Sequence, residues 1–203
     1  KIYTNSINTS NRLKKYNSIS STPLYHPPKL KDRFFNAGYD NYILSVGRLD
    51  SLKRIDTLIK SLAHCDHRIK CKIVGTGPDL ERLEKIAKDS NISDRVEFLG
   101  RVSDDKLLDL YARCNLVFFA PLDEDYGYIT LEAFLSKKPV ITSFDSGGTL
   151  EFVEDNKNGY ILNSLDEQYL AKKNEELFFN VEKCKEFGEN GFQKVKHINW
   201  NSV

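Results

Sequence analysis

Short apolar runs alternate with segments of helical periodicity from residue 42 to the end of the chain. The runs are four or five residues long, and they predict strands at 42–46, 71–75, 96–100, 116–120, 139–142 and 159–162. The segments between and after them carry apolar residues every three or four positions, and they predict helices at about 53–64, 79–89, 104–113, 128–136, 166–178 and 181–196. Strands that alternate with amphipathic helices are joined by right-handed crossovers into a mostly parallel sheet covered on both faces. We therefore predict an α/β, Rossmann-like, doubly wound fold.

The first 37 residues differ from the rest of the chain in charge. They hold seven basic residues against one acid, which leaves +6 in this segment and −5 in the remainder of a chain of net charge +1. The pattern predicts a short strand at 1–4 and a helix at 6–16, and the pair Pro27–Pro28 predicts an extended connection. We interpret the segment either as a solvated basic helix or as a contact with a further domain or an anionic membrane.

Composition excludes several classes of protein. A chain of 203 residues with 40% hydrophobic residues suits one globular domain with an appended segment. The net charge of +1 carries no nucleic-acid signature, and no apolar run approaches the ~20 residues of a membrane span. The four cysteines form no CxxC motif, so we predict a cytoplasmic protein, with peripheral contact at the inner face of the membrane as an alternative. Because the chain starts at Lys1 and contains no Met, we expect its true N-terminus to lie upstream.

Two glutamates are the strongest candidates for chemistry. Glu124 and Glu132 lie eight positions apart, with Gly127 between them, in a segment that reads strand, loop, helix, strand. Glu124 then follows the carboxyl end of a strand, where open α/β sheets bind ligands, and the following helix start attracts phosphate. A carboxylate is an acceptor suited to sugar and ribose hydroxyls. The combination favours a ligand with both features, such as a nucleotide-sugar.

Two cations follow the first strand of the sheet. Gly47 permits a sharp exit from that strand, and Arg48 and Lys53 come next, where they can neutralise a diphosphate leaving group. The alternative is that Arg48 pairs with Asp50 while Lys53 is solvated. The later sequence VGTGPDL lacks the third glycine of a dinucleotide fingerprint, because that position is Leu80, so we interpret its glycines as a tight strand-to-helix turn.

Several motifs resemble one enzyme family in the correct order and spacing between about Tyr42 and Leu162. They resemble the C-terminal half of family 4 glycosyltransferases of the GT-B fold (glycosyl transferases group 1). The flanks are also similar to that family, with residues 1–16 resembling the hinge region that leaves the acceptor domain and residues 197–203 resembling the start of the helix that returns to it. The motifs are GRLDSLKRID, VEFLGRVSDDKLLDLY, EDYGYITLE, EAFLSKKPVIT and SGGTLEFVEDNKNGYIL.

The resemblance implies retaining transfer of a sugar from a nucleotide-sugar, with UDP- or GDP-sugars as the expected donors and a glycan or lipid-linked acceptor bound by another domain. It implies that Glu124 faces the donor sugar and the reacting centre, and that Glu132 accepts from the ribose hydroxyls. The other implied donor-binding positions are Arg48 and Lys53 for the diphosphate, Tyr126, Gly127, Tyr128 and Ile129 for main-chain N–H groups, and Val102 for the base.

Two positions depart from the family pattern. Lys138 stands where a small residue is common, and Tyr126 stands where Phe is more frequent, which we expect to add a hydroxyl near the sugar. We expect no cofactor and no dedicated metal, since the histidines and cysteines at 64–71 match no common zinc spacing. Trp200 is expected to anchor the last helix by burying its ring.

The resemblance divides the chain into three parts. Residues 1–37 are the linker from an acceptor domain, 38–180 are the nucleotide-sugar-binding domain, and 181–203 are the C-terminal helix and the start of the return. On this division the full-length enzyme transfers sugar and the present chain alone is inactive. Two alternatives stay open: a nucleotide-sugar epimerase of the same architecture, and a module that binds a nucleotide-sugar without turnover.

Overall fold

The computed structural model describes residues 1–202, in which helices and strands alternate along the chain. The strands are β1 (Tyr3–Thr4), β2 (Thr22–Pro23), β3 (Tyr42–Val46), β4 (Lys70–Val74), β5 (Val96–Gly100), β6 (Leu116–Phe118), β7 (Val140–Ser143) and β8 (Gly159–Leu162). The helices are α1 (Ile7–Asn17), α2 (Ile55–Leu62), α3 (Leu80–Asp89), α4 (Asp104–Arg113), α5 (Tyr128–Leu135), α6 (Glu167–Phe178) and α7 (Val181–Val195). Short 3₁₀ helices lie at Lys31–Arg33, Ser51–Lys53, Ser93–Arg95, Gly147–Glu151 and Trp200–Ser202.

Six of the strands form one parallel sheet in the order β5-β4-β3-β6-β7-β8. The chain builds outward from β3 to β5 and then returns to the centre to build β6 to β8 on the other side. The order therefore reverses between β3 and β6, which is the switch point of an open α/β sheet. The predicted fold class is confirmed.

Alternation along the strands supplies two separate apolar layers. On β3, Ile43 joins the layer that contains α2, α3 and α6, whereas Leu44 joins the layer that contains α4 and α5, and α7 contributes residues to both layers. The same alternation separates Ile73 from Val74 on β4. Since neighbouring residues of a strand point to opposite faces, each strand contributes to both layers, as a doubly wound sheet requires.

The start of α2 differs from the prediction by two residues. Arg54 has a left-handed backbone (φ 53°), which separates the 3₁₀ turn Ser51–Lys53 from α2. The Asp50 side chain accepts a hydrogen bond from Leu52 N–H and caps this turn. Lys53 therefore lies in a capped turn at the carboxyl end of β3, and the helix begins only at Ile55.

Helix α7 packs closely on α5 because glycines remove side chains at the contact. A Cβ at Gly188 would lie 2.0 Å from the carbonyl oxygen of Lys137, and a Cβ at Gly191 would lie 2.2 Å from the Phe134 ring. Both distances are far below van der Waals contact. The backbone of α7 is thus seated directly on α5 and the turn that follows it.

Lys138 occupies a buried position after α5. Its ammonium donates to Asn36 Oδ1 at 3.2 Å and to the carbonyl oxygen of Gly38, and it lies 4.0 Å from the centroid of the Tyr39 ring. Burial lowers the pKa of this ammonium to about 8. The lysine that stands where the family commonly has a small residue therefore binds the connection before β3 to the end of α5.

The first 23 residues contain a β–α–β unit that lies outside the six-stranded sheet. Strands β1 and β2 pair in parallel and are joined by α1, and this two-stranded sheet is separate from the six-stranded one. Ser6 caps α1 by accepting from Thr9 N–H. The predicted boundary at residue 37 stays a prediction, although a β–α–β unit already ends at Pro23.

The expectation for Trp200 is wrong. Its side chain is 64% exposed and lies in the last 3₁₀ turn, where its nearest ring neighbour is His26 at 6.1 Å. The last long helix is anchored instead by α5, through the glycines described above. Across residues 1–202, no helix is long and apolar enough to cross a bilayer.

Candidate functional site

The switch point brings the loops after β3 and β6 side by side. Lys53 comes from the first loop and Glu124 from the second, and the Lys53 ammonium contacts the Glu124 carboxylate. Each side chain is only 22% exposed, and the ammonium also lies 5.8 Å from the centroid of the Phe119 ring. The interpretation of Lys53 as a solvated cation is therefore wrong. We call this space, between the ends of β3 and β6, the switch-point crevice.

A cleft of about 500 Å³ extends from the end of β3 to the end of β5. Arg48 lies on one side of it and Arg101 on the other, and its described lining contains no carboxylate. The Arg48 side chain is 72% exposed, with Asp50 at 3.7 Å as its carboxylate partner. The remaining lining residues are Gly47, Gly75, Thr76 and Gly77. This arginine cleft can hold an anion.

Close packing of two loops explains the glycines of this cleft. A Cβ on Gly75 would lie 1.8 Å from the carbonyl oxygen of Gly47, and one on Gly77 would lie 2.1 Å from that of Leu49. The φ of 131° at Gly75 is also unfavourable for other residues. The glycines of VGTGPDL thus serve a tight turn that lies against the loop carrying Arg48, in line with the interpretation of that motif as a turn.

The start of α5 presents main-chain N–H groups. Gly127 precedes the helix with φ 80° and gives it no side-chain cap. The first N–H groups of a helix have no partner within the helix, so those of Tyr128 and Ile129 are available to an acceptor. A Cβ on Gly127 would lie 2.7 Å from Thr149 Oγ1, so this entry is held against the 3₁₀ helix Gly147–Glu151.

Glu132 faces α4. Its carboxylate accepts a hydrogen bond from the fully buried Tyr111 hydroxyl at 2.8 Å. Burial raises the pKa of Glu132 to about 7, and the bond from Tyr111 opposes that rise. Glu132 also lines a pocket of about 520 Å³ together with Lys29, Tyr128 and Trp200. The two glutamates thus have different partners, Lys53 for Glu124 and Tyr111 for Glu132.

The side chain of Tyr126 serves another purpose than expected. It is buried, and its hydroxyl donates to the carbonyl oxygen of His26 at 2.7 Å and accepts from His26 N–H at 3.1 Å. The neighbouring Tyr128 stacks on the His26 ring with centroids 5.2 Å apart. The hydroxyl that we expected near a sugar therefore binds the main chain of the linker at His26, a contact that Phe could not make.

Val102 lies after β5 and is half-buried. It packs against the apolar layer that contains α4 and α5, as Ile129 does. The position predicted to meet the base and the start of α5 thus border the same apolar layer. Contact of either with a ligand stays a prediction.

Three features of the site escaped the sequence. Arg101 and Thr76 line the arginine cleft, yet neither belongs to a spacing that signals chemistry. Arg54 forms a bidentate pair with Asp145 at 2.6 and 2.7 Å, which ties the turn of Lys53 to the loop after β7. Such pairs between distant positions could be found only from the fold.

No group of three or more metal-ligating side chains is assembled among residues 1–202. The four cysteines, at 65, 71, 114 and 184, are buried free thiols, and burial raises the pKa of each. These thiols are therefore protonated core residues at neutral pH.

Comparison with known proteins places the chain in a family. Residues 28–194 match the model of glycosyl transferases group 1. An uncharacterized glycosyltransferase of Methanocaldococcus jannaschii is 31% identical over 170 residues, which are 84% of this chain and 47% of that protein. The GDP-mannose-dependent alpha-(1-6)-phosphatidylinositol monomannoside mannosyltransferase of Mycobacterium tuberculosis is 32% identical over 163 residues, 75% of this chain and 42% of that protein. The chain spans less than half the length of either relative.

Solved structures share the architecture. The structure of Anabaena Alr3699/HepE in complex with UDP and glucose superposes with a TM-score of 0.87 at 20% identity, over 97% of this chain and 58% of that one. The likeness shows a common fold, an α/β sheet consistent with the GT-B type. With the family model matching most of its residues, this chain belongs to the glycosyl transferases group 1 family.

Proposed function

We propose that this chain is the donor-binding half of a retaining, family 4 glycosyltransferase that transfers a sugar from a nucleotide-diphosphate-sugar to a glycan or lipid-linked acceptor. The observation that carries the proposal is the contact of Lys53 with Glu124 at the switch point. It sets a cation suited to a diphosphate beside an acceptor suited to sugar hydroxyls. A nucleotide-sugar has those two groups next to each other.

The cations then hold the leaving group. Arg48 and Lys53 bind the diphosphate, and Arg101 adds a charge on the opposite side of the arginine cleft. A nucleoside diphosphate departs as a stable anion, so charge stabilisation matters more than proton donation. The N–H groups of Tyr128 and Ile129, with the main chain at Tyr126 and Gly127, add donors toward the phosphates and the sugar.

The two glutamates act separately. Glu124 receives the hydroxyls of the donor sugar near the reacting centre, and Glu132 receives those of the ribose, with the base beside Val102. A glycosidase requires two carboxyl groups that flank one bond. Glu124 is paired with Lys53 and Glu132 with Tyr111 of another helix, so the two carboxyl groups have separate partners. As the family resemblance implies, the departing phosphate takes the proton of the acceptor.

The relatives indicate which donors to test. One is named as GDP-mannose-dependent, and the superposed structure was solved with UDP. UDP- and GDP-sugars are therefore the first candidates for this chain. We further propose that it needs no protein-bound metal, and that it acts in the cytoplasm, in polysaccharide biosynthesis or on lipid-linked acceptors at the inner face of the membrane.

Calorimetry with UDP and GDP tests the diphosphate site. Arg48→Ala should weaken binding of the preferred nucleotide by about 1.5–3 kcal/mol, the range for a charge-assisted hydrogen bond. Arg68→Ala is the matched control, because Arg68 precedes β4 and lies at the amino edge of the sheet. Equal affinities of parent and Arg48→Ala would contradict the proposed diphosphate site.

Two alternatives from the sequence analysis need evidence other than calorimetry. The family match and the cation–glutamate pair at the switch point disfavour an epimerase. A module that binds without turnover would show the same calorimetry, and only the full-length protein distinguishes it. Donor- and acceptor-dependent nucleotide release by the full-length protein, lost in Glu124→Ala, supports the transferase, whereas binding with no release would support the module.

A further inference from the structure

Helix α1 lies against the loop that carries Glu124. The Asn8 side-chain amide donates to Asp123 Oδ1 at 2.8 Å and to the main-chain carbonyl oxygen of Glu124 at 3.0 Å. The same carbonyl accepts from Gly148 N–H at 2.7 Å. The main chain of Glu124 is therefore held between α1 and the 3₁₀ helix Gly147–Glu151.

Arg12, one turn further along α1, binds the two acids that flank Glu124. Its guanidinium lies 3.3 Å from Asp123 Oδ2 and contacts the carboxylate of Asp125. Three consecutive carboxylates repel one another unless cations compensate them. Arg12 compensates the outer two and Lys53 the central one, so the loop is held by opposite charges from two elements.

The loop also has a backbone that needs support. Asp123 has φ 47°, in the left-handed region, which is uncommon outside glycine. A conformation of this kind persists where surrounding contacts determine it. The bonds from Asn8 and Arg12 to the Asp123 carboxylate supply such contacts.

Helix α1 is itself fixed at its N-terminus. The Glu151 carboxylate accepts from Ile7 N–H at 3.0 Å and from Asn8 N–H at 2.8 Å. The Tyr25 hydroxyl donates to the same carboxylate at 2.6 Å. The approach of α1 to this loop also requires glycine at 147, since a Cβ there would lie 2.7 Å from Asn8 Nδ2 and 2.5 Å from the Glu124 carbonyl oxygen. The position of α1 and the position of the Glu124 loop are therefore coupled.

We propose that Arg12 and Asn8 are positioning residues for Glu124, through which the placement of α1 controls recognition of the donor sugar. This rests on the proposed role of Glu124. Arg48, Arg101 and Glu132 make no contact with α1 among the described bonds and ion pairs, and Lys53 is linked to α1 only indirectly, through its contact with Glu124. Displacement of α1 should therefore weaken recognition of the donor sugar more than binding of the nucleotide part.

The test compares a nucleotide with its sugar conjugate on the present chain. Dissociation constants are measured for UDP and UDP-glucose, and for GDP and GDP-mannose, with parent, Arg12→Ala, Arg12→Lys and Glu124→Ala. For the pair that the parent binds, Arg12→Ala should change the ratio of the two constants by roughly threefold to tenfold, the size of coupling between contacting residues. Affinity for the nucleotide alone should change less than affinity for the sugar conjugate, and Arg12→Lys should restore part of the ratio.

Two controls separate positioning from general damage. Lys14→Ala removes the same charge from an exposed position of α1 and should leave the ratio unchanged. In the double variant Arg12→Ala/Glu124→Ala, the Arg12 change should have no further effect on the ratio, because it acts through Glu124. Thermal unfolding of each variant verifies that the chain is folded.

The outcomes are distinct. A ratio altered by Glu124→Ala and untouched by Arg12→Ala overturns the positioning role alone. A ratio untouched by Glu124→Ala removes the proposed role of Glu124 and the inference with it. Failure of the parent to bind either pair contradicts the proposed function itself.

Discussion

The surroundings of Glu132 favour the protonated form of its carboxyl group. Its carboxylate accepts a hydrogen bond from the Tyr111 hydroxyl, and the residue is half-buried. Among the other described residues that line its pocket, Lys29 is the one that carries a charge. Burial outweighs the hydrogen bond, so its pKa rises from 4.5 to about 7. Because this pKa lies near neutral pH, the charge of Glu132 changes within the pH range in which enzymes work.

The raised pKa makes a stability prediction with a definite sign. The folded chain binds the proton of Glu132 more tightly than the unfolded chain, so this residue stabilises the fold below pH 4.5 and loses that contribution as the pH rises to about 7. Glu132→Gln lacks the ionisation. Its free energy of unfolding relative to the parent should therefore increase between pH 4.5 and pH 8, by about 1–3 kcal/mol.

Urea unfolding at pH 4.5, 6 and 8 measures this difference. Glu84→Gln is the control, because Glu84 is an exposed glutamate on α3. A difference between Glu132→Gln and the parent that is the same at all three pH values would contradict the burial of Glu132.

At this scale the sequence predicted residue types better than their partners. Arg48, Lys53 and Glu124 could be found because each follows the end of an apolar run, where parallel strands collect ligand groups. Tyr126 could not be interpreted correctly, because its partner His26 is 100 positions away in the chain. Lys53 likewise pairs with Glu124, from the loop after β6, a strand that becomes the neighbour of β3 only through the order of the sheet.

Among the elements, α7 shows how backbone contact overrides helix propensity. Gly188 sits in the interior of a 15-residue helix, where alanine would ordinarily be better by about 1 kcal/mol. Its missing side chain is what allows α7 to touch the carbonyl of Lys137, which belongs to the turn after α5. The contact therefore supports the helix that carries Glu132.

Gly188→Ala should destabilise the chain in spite of its better helix propensity. The new Cβ would lie 2.0 Å from a main-chain oxygen, which cannot rotate away. Overpacking of this kind outweighs the propensity gain, and we expect a net loss of roughly 1–3 kcal/mol in chemical denaturation. Glu186→Ala on the exposed side of α7 should change stability by less than about 0.5 kcal/mol. A stabilised Gly188→Ala variant would mean that α7 is not seated on α5.

The elements themselves were largely predictable, and their environment was not. Periodicity located α4 at its observed bounds, because its apolar residues repeat at helical spacing over 104–113, and in the structure Ser103 caps its start. The same reasoning found α1 and described it as a basic helix that is solvated or facing a further domain or membrane. In the structure its Arg12 meets the acids of the Glu124 loop, a contact between segments more than 100 positions apart.

For the whole molecule, length is the decisive observation. The chain spans less than half of the two glycosyltransferases named above, and the six-stranded sheet accounts for one Rossmann-like unit. Transfer requires an acceptor held over the donor and exclusion of water by closure. We expect this chain to bind a donor without transferring its sugar.

Incubation of the chain with UDP- and GDP-sugars and a lipid or oligosaccharide extract, with nucleotide release as the readout, tests this expectation. Release should not depend on the extract. The full-length protein serves as the positive control. Extract-dependent release by the present chain would indicate a compact single-domain transferase.

Acylation of Lys138 can measure whether the connection before β3 is docked on the end of α5. Its amine is enclosed by Asn36, Gly38 and the Tyr39 ring, so an acylating reagent meets it only after that connection has lifted away. Once uncovered, it reacts as an ordinary surface amine does. When the segment recloses faster than the reagent reacts, the rate at which Lys138 is modified, relative to an exposed lysine, records the fraction of time that the segment is open. Mass spectrometry of the single peptide that contains Lys138 measures that rate.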